Sequence, residues 1–122
     1  MRSIQRLSIL FLLGIAPLLA ADVTGKWEGT GTTPDGAVET LNVVLKVEGG
    51  AIKGDIGPNA DKRFQIASGK VDGTKVTFHV EGPNGGTFDF DLTLDGGSMK
   101  GTCHLKRGED AEDAKVELKR AS

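Results

Sequence analysis

Two stretches of this chain repeat one pattern. LKVEGGAIKGDI runs from Leu45 to Ile56, and LTLDGGSMKGTC runs from Leu92 to Cys103. Each joins an apolar alternation to an acid-Gly-Gly turn and an answering strand that carries a Lys-Gly pair. A weaker third copy, KVDGTKV, lies midway between them at Lys70 to Val76. Gly-Gly and Asp-Gly pairs supply the positive φ that two-residue hairpin turns require. The copies therefore predict hairpins, and a chain made of hairpins folds into antiparallel sheet. Duplication of one hairpin and convergence on one good turn both account for the repeat.

Between the turns, apolar residues recur at period two, the signature of half-buried strands, and helical periodicity is absent. TFDFDLTLD sets Phe88, Phe90, Leu92 and Leu94 on one face, and KVTFHVE does the same with Val76, Phe78 and Val80. Eight strands are expected, over 25–32, 38–48, 51–57, 63–71, 75–81, 86–95, 98–106 and 114–120. In the fourth, Phe64 and Ile66 set a parity that Val71 breaks, which predicts a bulge near Ser68-Gly69.

The connections alternate in length. EGGA, DGTK and DGGS are tight, whereas TPDGA, GPNADK, EGPNGG and RGEDAED are longer. In an up-and-down meander every second turn lies at the same end, so the tight turns form one end and the longer loops the other. The expected fold is all-β, an eight-stranded antiparallel up-and-down meander barrel, because closure removes the edges that an open sheet would leave exposed. A flattened β-sandwich is the alternative. The long-loop end offers a candidate ligand rim of Pro34, Asp35, Pro58, Asn59, Pro83, Asn84, Glu109 and Asp110.

The N-terminus has a different character. Arg2 and Arg6 precede the uncharged run LSILFLLGIAPLLAA, which ends in small residues. This is a secretory signal pattern, too short to span a bilayer. Cleavage is expected after Ala20 or Ala21; after Ala21 it leaves residues 22–122 as a single domain, following a signal peptide at 1–21. The expected location is periplasmic or extracellular, soluble and without a membrane anchor. The chain has 15 basic and 17 acidic residues, and removal of Arg2 and Arg6 makes the remainder more acidic. That balance argues against nucleic acid as a partner. Cys103 is the only cysteine, so no disulfide can form within the chain, and it reads as a small buried hydrophobe.

The first strand contains Gly25-Lys26-Trp27 within TGKWEG. A Gly-x-Trp opening an eight-stranded meander resembles the calycin superfamily, which includes lipocalins, fatty-acid-binding proteins and avidin-like barrels. The resemblance covers residues 23–120. It implies that Trp27 plugs the closed end and stacks against a basic residue of the last strand, Lys119 or Arg120. A guanidinium there would make a cation–π contact. The chain departs from lipocalins in being short, in lacking Tyr altogether and in showing no C-terminal helix. No ligand identity carries over.

The inward set, which runs from Trp27 to Leu118, contains no charge. An eight-stranded barrel is just wide enough for its side chains to fill or for one small ligand. A filled core is expected, and any cavity would be apolar and near the long loops. On the outer face, pairing Phe78 with Phe90 and Leu94 with Met99 sets His79, Asp89 and His104 in a row across three strands. Two His and one carboxylate can ligate a transition metal. An ordinary cross-strand pairing of a solvated Asp between two His is the stronger reading, so no metal site is expected. GEDAED reads as a solvated turn. No nucleophile elbow or phosphate-binding loop is present, and Cys103 and His104 point to opposite faces of their strand, so no enzyme activity and no cofactor are implied. The reading is a small exported binding module for a hydrophobic small molecule. An inhibitor that grips an exported protein through its loops, or a purely structural domain, are the alternatives.

Overall fold

A computed structural model describes residues 22–121. The predicted signal peptide, residues 1–21, lies outside the described residues. Eight strands follow in order: β1 (Gly25–Thr32), β2 (Val38–Glu48), β3 (Ala51–Gly57), β4 (Phe64–Asp72), β5 (Lys75–Glu81), β6 (Thr87–Asp95), β7 (Ser98–Arg107) and β8 (Asp110–Arg120). Each pairs antiparallel with its sequence neighbour, and β8 returns to β1 to close the barrel. A single 3-10 turn, Pro83–Gly85, is the only other regular element among the described residues.

The tight turns obey one geometry. Gly49, Gly73 and Gly96 each open a turn at φ near +60° (60, 63 and 61°), a region where a side chain is strained. The second residue of each turn then reaches sideways. The carbonyls of Gly50, Thr74 and Gly97 accept hydrogen bonds from the N–H groups of Val71, Leu94 and Arg120. Each repeated turn therefore closes its own hairpin and ties it to the next, which gives the repeat a scaffold role at the closed end.

The bulge falls between Ile66 and Ser68, where Ile66 pairs with Val80 and Ser68 with His79, leaving Ala67 unpaired. It sits slightly before Ser68-Gly69 and returns Val71 to the interior, buried beside Val76. The largest correction is at β8. RGEDAED is not a long loop: β7 continues to Arg107, Gly108 and Glu109 form a two-residue turn, and β8 begins at Asp110. Leu105 pairs with Glu112 and Arg107 with Asp110. Ladder hydrogen bonds need no apolar side chain, so the strand outlasts its hydrophobic alternation.

The lower barrel is filled. Trp27, Leu45, Leu92, Met99 and Leu118 are fully buried, with Val23 wedged in from below. Val23, Val71 and Ala114 also belong to the core. Phe78 and Phe90 stack at 4.6 Å across the middle. The resemblance's closing contact is present through Arg120 rather than Lys119, with the guanidinium 4.4 Å from the Trp27 ring centroid. The Arg120 nitrogens also donate to the carbonyls of Asp22 and Thr24, and the Trp27 indole N–H donates to the Val23 carbonyl at 2.9 Å. One arginine thereby straps the N-terminal segment under the barrel.

Candidate functional site

The inward positions change size along the barrel axis. On β1 they step from Trp27 through Gly29 to Gly31, and on β8 from Leu118 through Val116 to Ala114. On these two strands the bulky side chains lie toward the closed end and the small ones toward the opposite end. On β7 Met99 lies low and Cys103 higher, with Gly101 between them and Leu105 at the mouth. The volume left by Gly31, Cys103 and Ala114 is an apolar pocket of about 320 Å³ at the long-loop end. Phe90 and Val116 line its deeper part, and Leu41, Phe88 and Leu105 stand around it, half-buried. Ligand pockets span about 300–1,000 Å³, so this one suits a small molecule or part of a larger one. Glu39 adds the one charged side chain in the wall.

Cys103 is 4% exposed, and burial pushes its thiol up to about 12, aided by the negative charges of Asp89 and Asp113. It therefore stays protonated and contributes a soft apolar patch to the pocket.

None of the eight predicted rim residues lines this pocket. They lie at the same end but build the loops. The Asp35 carboxylate accepts from the Thr33 hydroxyl and the Ala37 N–H, which holds it below its ordinary pKa. The Asn59 side chain accepts from the N–H groups of Asp61 and Lys62. Arg63 then locks this loop to the wall, donating to Asn42, to the Asn59 carbonyl and to Asp55. Pro34 and Pro58 are exposed, and Pro83 and Asn84 lie in the 3-10 turn. Glu109 lies in the β7–β8 turn, and Asp110 is the first residue of β8.

A broader depression of about 610 Å³ lies on the outer face of β4–β7 and includes His79, Asp89 and His104. Their register is as expected: His79 opposes Asp89, and Asp89 opposes His104. The side chains pair differently. His79 Nδ1 is 2.5 Å from Asp89, but His104 Nδ1 turns to Asp113 on β8, at 2.6 Å. The two imidazoles therefore do not share one carboxylate, and among the described residues no three His, Cys, Asp or Glu side chains converge on a metal position. The hydrogen bond to Asp89 raises the His79 pKa, against a smaller opposing effect of burial and with help from the charges of Asp89 and Glu81. This trough is open to solvent and carries His79, Asp89, Asp91 and His104 along its walls, whereas the mouth pocket is apolar apart from Thr33 and Glu39 and backed by the core.

No protein-family model matches the chain, and no curated protein matches it in sequence.

Proposed function

We propose that the protein is a small exported binding module of calycin type that takes a hydrophobic small molecule into the mouth of its barrel. One observation carries this reading: the apolar pocket between Leu41, Phe88, Phe90, Cys103 and Leu105, opening among the longer loops above an otherwise filled core. Apolar surface held open to water favours any apolar occupant by roughly 25 cal/mol per Å² that the occupant removes from water.

The test uses neutral apolar probes, octanol and Nile red, with thermal unfolding as the readout. A ligand at a hundred times its Kd adds about 2.7 kcal/mol to stability. At about 4–8 °C per kcal/mol for a domain of this size, Tm rises by more than about 10 °C. Leu105→Trp fills the pocket and abolishes the shift while the variant retains its own unfolding transition. The absence of any shift with a panel of neutral apolar probes refutes the proposal.

A further inference from the structure

The pocket has a charged wall on one side. Glu39 sits on the same face of β2 as Leu41 and Val43, so the strand's alternation turns it toward the mouth and not the outer surface. It opposes Gly31, the residue whose missing side chain makes room there. Across the ridge formed by Phe88 and Leu105 lies a second depression of about 400 Å³ that shares these two residues and adds Arg107, Asp110 and Glu112. Glu112 pairs with Leu105, so its strand parity is also inward.

Among the described residues, neither Glu39 nor Glu112 stands in an ion pair. No cation lines the first depression. The second has Lys106, whose strand parity is outward, and Arg107, which lies opposite Asp110 in the ladder. Over the whole rim, segments 33–39, 58–63, 82–86 and 107–112 hold six carboxylates and three cations, and one of those cations, Arg63, is paired with Asp55. An occupant with its tail on Phe90 and Cys103 places its head group beside Glu39, in a field of negative sign.

We propose that the pocket selects amphiphiles with a cationic head, an alkylamine or its equivalent, over fatty acids of the same length. This rests on the binding reading above. A carboxylate head would meet Glu39 with like charge, whereas an ammonium both pairs with it and stays hydrated at the rim. The contribution is that of a solvent-exposed ion pair, so it sets selectivity more than affinity.

Octylamine, octanol and octanoate share one tail and differ only in head-group charge. Their affinities for the wild-type protein and for Glu39→Gln are measured by calorimetry at low ionic strength and again in about 0.5 M salt, which screens exposed charges. The expected order is amine, alcohol, acid, with about five-fold between the amine and the acid. Both Glu39→Gln and high salt shrink that ratio, and Glu39→Lys reverses it. Equal binding of all three, or a preference for octanoate, overturns the head-group selectivity and leaves the apolar pocket standing. Binding by none of them overturns the pocket itself.

Discussion

Arg120 offers the sharpest test of how this barrel is closed. Its guanidinium covers Trp27 and donates to two main-chain carbonyls, at 2.9 Å to Thr24 and 3.0 Å to Asp22. A cation–π contact at an exposed site contributes about 0.5–1 kcal/mol. Hydrogen bonds from a charged donor contribute about 1.5–3 kcal/mol when desolvated, and at this exposed site about 0.5–1 kcal/mol each is the appropriate scale. Arg120→Ala should therefore cost about 2 kcal/mol, or roughly 10 °C in Tm. If the strap detaches, the loss of Val23 burial adds about another 1.5 kcal/mol. Arg120→Lys keeps the charge over the ring, but one ammonium cannot serve both carbonyls in the same geometry, so about half the loss remains. The assay is site-specific because the chain has one Trp and no Tyr, and Trp27 is 0% exposed. In Arg120→Ala its emission should shift to the red and become quenchable by acrylamide well below the global transition. A variant whose Tm stays within about a degree of wild type, with Trp27 still protected, refutes the strap as a source of stability.

Gly101→Ala places a methyl 2.0 Å from the Asp91 carbonyl of the paired strand, so it should lower stability by about 1–3 kcal/mol in denaturant titration. Gly31→Ala meets the Leu41 side chain at 3.5 Å and the Lys115 carbonyl at 3.8 Å, both ordinary contacts, so it should fold normally, gain up to about 1 kcal/mol and bind neutral apolar probes more weakly. His79 has a folded-state pKa raised above its unfolded value of about 6.5. Its stabilisation is therefore complete below that pH and is lost as pH rises through the folded pKa, so His79→Gln should flatten the dependence of Tm on pH above about 6.5. The Cys103 thiol, buried and pushed up to about 12, should resist an aqueous disulfide reagent near pH 8 until the protein unfolds.

The strands of this barrel are legible because its inner face alternates with its outer face over most of their length. Phe78 against Phe90 and Leu94 against Met99 follow from the turn residues and the parity alone, and both pairs are present. The signal fades where the wall meets water. Glu39, Arg107, Asp110 and Glu112 occupy inward positions at the rim, where burial no longer demands an apolar side chain, and so the first part of β8 reads as a loop. Val23 is a lone apolar residue with no period around it, and its burial arises only when Arg120 draws the segment under the barrel. The choice between a filled and a hollow barrel was written in the sequence after all, in the step from Trp27 to Gly29 to Gly31. It becomes readable once the fold places Gly31, Cys103 and Ala114 around one pocket at the mouth.

The strap also fixes where the chain enters and leaves. Trp27 pairs with Arg120, and the Ala121 N–H donates to the Lys26 carbonyl, so both ends of the described segment emerge side by side beneath the closed end. The pocket opens on the opposite pole. A surface, bead or fused domain attached through either end would hold the barrel like a cup on its base, with the mouth facing outward and unobstructed.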